Sequence, residues 1–238
     1  MITSLFAGFI FLAAGFVQGL TGFGSALVAI PLLSLILDIK VAVPLCILNG
    51  LILTIYLALH LRRHLDRTKI LPLVAGAIPG VLVGASLLQR VDADIIRFCI
   101  GVLLISYSLY NLLVRPRSLE LSRKWGYAAG FLTGAIGAAF SAGGPPAIIY
   151  TTLAGWTKEE IRATLSGFFV VNSIVTALVH ALTGVSTLAT VRIFLVTAPF
   201  VLVGTIAGSH VTARVNQQTY LRIIYLFLVV TGMMMICS

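Results

Sequence analysis

Gly15-Phe16-Val17-Gln18-Gly19-Leu20-Thr21-Gly22-Phe23-Gly24-Ser25 lies inside a run with no charged side chain from Met1 to Leu37. A helix rises about 1.5 Å per residue, so residues 4–37 as one straight helix would reach roughly 50 Å, against a hydrocarbon core of about 30 Å. Glycines at 15, 19, 22 and 24 interrupt the run near its middle. Glycine leaves helical geometry at the lowest steric cost, so the run reads as a broken helix or helical hairpin. A second uncharged stretch, Trp125 to Thr157, has the same form, with Phe140-Ser141-Ala142-Gly143-Gly144-Pro145-Pro146 at its centre.

Around these two runs, residues 41–61, 70–88, 95–114, 161–182, 190–208 and 217–237 form apolar stretches of single-helix length. That makes about eight hydrophobic segments. Charged residues make up 10% of the chain, against about 25% in soluble domains. Mean hydropathy is +1.09. Such a composition excludes a water-soluble globule, and equally a disordered chain, which needs low hydrophobicity. The fold class is an all-α polytopic integral membrane protein.

The net charge of +9 does not imply nucleic acid, because the charges sit in short gaps between apolar runs. Arg62, Arg63, Arg67 and Lys69 crowd one gap beside a single acid, Asp66; Arg115, Arg117, Arg123 and Lys124 crowd another beside Glu120. Short Lys/Arg-rich loops mark the cytoplasmic face and attract anionic lipid headgroups. Membrane lipid is therefore an expected partner and nucleic acid is not. Trp125, Tyr127 and Trp156 at span ends suit interface anchors. Cys46, Cys99 and Cys237 are scattered, as buried small hydrophobes are, and show neither a disulfide nor a metal pattern. No basic segment precedes the first run, which also exceeds signal-peptide length, so it reads as structure and not as a cleaved signal.

The chain repeats itself. Sliding it by 120 residues lays Gly24 on Gly144, His60 on His180 and Pro79 on Pro199, and Val81-Leu82-Val83-Gly84 on the identical Val201-Leu202-Val203-Gly204. The organisation is thus a first repeat over 1–114, a basic cytoplasmic linker over 115–124 and a second repeat over 125–238, a common construction of secondary transporters. If the fifth run crosses the membrane once, the repeats are parallel and Arg214 and Arg222 fall outside. If it folds back, the repeats are inverted and these arginines return to the cytoplasm. The charge placement favours the inverted pair.

All seven acids lie in loops or at helix ends, and no Lys or Arg occupies a span centre. A carrier of metal ions or organic cations normally embeds a carboxylate. An anion needs no embedded cation: a helix N-terminus offers about half a positive charge and up to four free N–H donors. Breaking a helix inside the membrane creates such a terminus where a substrate can bind. Gln18, Thr21, Gly22, Phe23, Gly24 and Ser25 in the first break, with Ser141, Gly143, Gly144 and Pro145 in the second, are the expected anion-binding residues. Close helix packing through small residues is the competing use of such glycines. No Ser–His, Asp–Asp or His–Glu pair at working spacing points to an enzyme, and no metal or cofactor is expected.

The first break, from Gly15 to Ser25 and followed by Pro31, resembles the opening motif of the sulfite exporter TauE/SafE family, and Gly143-Gly144-Pro145 is similar to its second-half counterpart. The resemblance extends over nearly the whole chain in length, span count and tandem halves. It implies an inner-membrane, multi-pass permease for sulfite, thiosulfate or small organosulfonates, with those anions as partners. A passive anion channel and a non-transporting assembly subunit remain the alternatives.

Three further polar residues belong to spans. Asn49 and Asn172 carry amides that need partners in hydrocarbon, either across helices or toward a substrate. His180, near the end of its helix, has a side chain whose ordinary titration lies near neutral pH and is the candidate for proton coupling.

Overall fold

A computed structural model of the chain describes residues 2–21, 24–60, 65–113, 121–211 and 217–237. Regular structure among the described residues is helical throughout: α1 (Ile2–Thr21), α2 (Ser25–Leu33), α3 (Ile39–His60), α4 (Arg67–Arg90), α5 (Ala93–Leu113), α6 (Arg123–Phe140), α7 (Gly144–Leu153), α8 (Lys158–Leu182), α9 (Leu188–Val211) and α10 (Gln217–Cys237). Six of these are long and apolar enough to cross a membrane: α1, α3, α4, α5, α8 and α9. Each overlong run folds as a long helix followed by a short one. Gly24, at φ 95°, turns the chain before α2, and Ser141, at φ 55°, ends α6. Pro44, Pro72, Pro79 and Pro199 all sit inside continuous helices. The basic linker over 115–124 lies outside the described residues up to Glu120 and resumes at Leu121.

Glycines set the helix directions. A Cβ on Gly76, Gly80 or Gly84 of α4 would run into the backbone of Tyr127, Phe131 and Ala135 of α6, in ascending order. The two helices therefore run parallel at a separation that only small residues permit. The same holds for α1 and α9, where Gly204 and Gly208 abut the backbone of Leu12 and Phe16, and Gly15 and Gly19 abut Val201 and Thr205. By contrast α5 and α10 run antiparallel, Gly101 meeting Ile236 and Gly232 meeting Ile105.

Polar contacts orient α8. Lys69 at the start of α4 pairs with Glu160 at the start of α8 at 2.6 Å, and lies 4.9 Å from the ring centre of Trp156. At the other end Gln89 donates to the Thr183 carbonyl at 2.8 Å. α4 and α8 are thus parallel along their length. Asp66 caps α4, accepting from the Thr68 hydroxyl at 2.7 Å and the Thr68 N–H at 2.8 Å. Those two bonds hold its carboxyl below the ordinary Asp range.

Two consequences place the breaks. Gly143 stands against Thr133 and Gly137, while Tyr150 reaches Gly126 near the start of α6, so α7 doubles back along α6 as a hairpin. Because α9 is parallel to α1, and the chain lengths between α3 and α4 and between α8 and α9 are too short to recross a membrane, α1 and α3 point the same way. α2 is then the return leg between them. The main core gathers Phe11, Ile30, Leu33, Leu45, Ile100 and Val201 from α1, α2, α3, α5 and α9.

Candidate functional site

Helices α3 and α8 lie against each other at the centre of the fold, with α1, α2, α6 and α7 around them. A cavity of about 100 Å³ opens there, several times the 10–15 Å³ that one water needs on the same measure. Both glycine breaks reach it. Gln18, Gly24 and Ser25 line it from the first break, and Ser141, Gly143 and Gly144 from the second. The starts of the two short helices, α2 and α7, therefore face one space.

Each start is built differently. At α2 the Gln18 side-chain oxygen accepts from the Ser25 N–H at 3.3 Å, tying the end of α1 to the first turn of the returning helix. At α7, Pro145 and Pro146 occupy the first turn; neither has an N–H, and their fixed φ suits a helix start. Ser141, the one described residue other than glycine with positive φ, donates its N–H to the Gly137 carbonyl at 2.8 Å. Left-handed backbone costs a side-chain-bearing residue roughly 1–2 kcal/mol, and such strain tends to collect at functional positions.

The two long helices complete the wall with residues four apart. Cys46, Gly50 and Thr54 of α3 line the cavity, as do Phe169, Asn172, Ser173 and Thr176 of α8. Thr176 donates to the Asn172 carbonyl at 2.7 Å, and Thr54 to that of Leu51 at 3.1 Å, the inward back-bonding usual for hydroxyls in membrane helices. Thr133 of α6 is 1% exposed and Asn172 9% exposed. Thr133 Oγ1 and Asn172 Oδ1 find no partner among the described residues, although buried polar atoms are ordinarily satisfied. Among the described residues no charged side chain lines the cavity, and no metal-holding group of His, Cys, Asp and Glu occurs.

Of the residues expected from the sequence, Gln18, Gly24, Ser25, Ser141, Gly143, Gly144 and Asn172 come together here. Asn49 does not line the cavity: its amide donates to the Leu45 carbonyl and to Thr197 of α9, both at 3.0 Å, making it a helix–helix bond. It sits one residue away from the 46–50–54 stripe and so faces α9. Pro145 lines apolar crevices on the other side of α7, beside Leu103 and Ile149. His180 stands behind the wall, fully buried, its Nε2 donating to the Ala138 carbonyl at 3.0 Å. Gly22, Phe23 and the Thr21 side chain lie outside the described residues. Sequence reasoning passed over Gly50, Thr54, Thr133 and Thr176, although spacings of four from Cys46, Gly137 and Asn172 put them on the same faces.

A family model described as "Sulfite exporter TauE/SafE" matches residues 7–235. No curated protein and no solved structure matches the chain.

Proposed function

The chain belongs to the sulfite exporter TauE/SafE family, and we propose that it is a secondary transporter carrying a small sulfur-containing anion (sulfite, thiosulfate or an organosulfonate) across the inner membrane by alternating access. The observation that carries this reading is the convergence of both broken helices on one cavity walled by neutral hydrogen-bond donors. The starts of α2 and α7 contribute positive helix ends, Ser25, Ser141 and Thr133 contribute hydroxyls, and Asn172 contributes an amide. A sulfur oxyanion accepts several such bonds. With no fixed cation to hold it, it can also leave, as turnover requires.

The halves 1–114 and 125–238 act in this proposal as an inverted pair. Support comes from the order of helices, long–short–long–long–long in each half, and from their directions, which alternate along a five-element half so that the second half starts opposite to the first. Each half lends a helix to the other: α1 packs along α9, and α6 along α4. A rocking motion of these glycine-seamed pairs against α3 and α8 would expose the cavity to one side and then the other.

Charge orients the assembly. The ends of α3, α5, α7 and α9 fall on one face by the directions above, and among the described residues Arg67, Lys69, Arg123, Lys124, Lys158, Arg162 and Arg222 lie there; Lys40, Arg90, Arg97 and Arg192 are on the other. The rich face is cytoplasmic by the positive-inside rule. The test is flux of labelled sulfite and a small sulfonate into proteoliposomes with unlabelled anion inside. Saturable flux accelerated by internal anion is expected; linear flux without that acceleration would mark a passive channel, and no flux would refute the anion assignment.

A further inference from the structure

We infer that the cavity between α3 and α8 selects singly charged sulfur oxyanions, so that sulfite is moved as hydrogensulfite and carries its own proton, while doubly charged anions are rejected. The inference rests on the transporter reading above and deepens it by fixing the charge of the substrate, which keeps sulfite and organosulfonates and sets thiosulfate aside.

Three features of the wall converge on a single negative charge. The positive field comes from two helix starts, each worth about half a charge, which together balance about one. Direct donors are fewer than two free helix ends would give: the Ser25 N–H is engaged by Gln18, and Pro145 and Pro146 have none to offer. The remaining polar groups are neutral, and two of them stand without partners more than nine-tenths buried, Thr133 Oγ1 and Asn172 Oδ1. An amide oxygen only accepts, and a hydroxyl accepts as well as donates. They suit an oxyanion that bears a proton or an organic substituent, and they oppose a second negative charge.

Desolvation sharpens the choice. The cost of taking an ion out of water rises with the square of its charge, so a dianion pays roughly four times what a monoanion does. Among the described residues nothing in the wall supplies a compensating cation, and Cys46 is the one titratable side chain there. On the surrounding helices the described charged groups sit toward the ends, as Lys40 on α3, Arg123 and Lys124 on α6, and Lys69 and Glu160 on α4 and α8. His180 is held by Ala138 behind the wall, while Tyr56 stacks on His60 at the end of α3. None of these lines the cavity.

The decisive experiment measures initial flux of labelled sulfite and labelled methanesulfonate into proteoliposomes of the full chain at subsaturating total concentration over a series of pH values. Sulfate and thiosulfate are added as competitors. Sulfite flux is expected to fall about tenfold per pH unit above the hydrogensulfite pKa, methanesulfonate flux to stay level, and sulfate and thiosulfate to leave both unchanged. Three results would overturn the inference while leaving an anion transporter standing: sulfite flux that holds or rises with pH, inhibition of either labelled flux by sulfate or thiosulfate, or methanesulfonate flux with the pH dependence of sulfite. Absence of flux for both labelled anions at every pH would overturn it together with the reading it rests on.

Discussion

At the scale of single residues, the cavity predicts different outcomes for positions that look alike in sequence. Gly50 has nothing within 4 Å of where a Cβ would lie, so Gly50→Ala should fold normally and lower flux only by narrowing the cavity. Ser141 holds a left-handed backbone at φ 55°. Ser141→Gly should leave thermal stability unchanged or raise it by up to about 1 kcal/mol, while flux falls because a donor is lost; a melting curve beside a flux assay separates the two. Flux equal to wild type would remove Ser141 from the site. These residues show how far chemistry alone could be read. Gln18, Ser25, Ser141 and Asn172 announced themselves by polarity in apolar runs, and they line the cavity. Asn49 announced itself equally and faces α9, because a rotation of one residue, about 100° around a helix, cannot be seen without knowing which neighbour lies on which side.

At the scale of helices, the seams are more fragile than the cavity. Gly80 of α4 lies directly against the backbone of Phe131 and Ala135. Gly80→Leu should force α4 and α6 apart at a cost of about 3 kcal/mol, read as loss of folded, monodisperse protein in detergent. The cap of α4 gives a pH dependence. Because Asp66 has a folded-state carboxyl pKa below its ordinary value, its contribution is present above the unfolded pKa and is lost as pH falls through the folded one. Wild-type thermal stability should therefore drop more on acidification than that of Asp66→Asn. The breaks themselves were legible from length and glycine content, since 34 apolar residues do not fit one span. The fold-back of α7 was favoured by charge placement alone, without the contact that makes it. It depends on Gly143 resting on Thr133 and Gly137, a contact between two helices that no periodicity encodes.

At the scale of the whole molecule, the alternation of helix directions puts the start of α6 and the turn between α8 and α9 on opposite faces. In a chain whose native cysteines are replaced, Ser122→Cys should react with an impermeant thiol reagent from the cytoplasmic side and Ser186→Cys from the other. Labelling of both from one side would refute the alternation. The central claim is that two broken helices, one from each half, hold the anion in a shared cavity. Its most direct test is saturable sulfite flux through proteoliposomes of the wild type, Gly24→Leu and Gly144→Leu. Gly24 needs its positive φ, and a Cβ on Gly144 would meet Ile148 at 3.4 Å, so a methyl group fits there while a leucine would fill the cavity. The account predicts saturable flux in the wild type and at least a tenfold loss in both variants, about 1.4 kcal/mol or more of lost stabilisation, with folded protein recovered from each. Undiminished flux in both variants would contradict it.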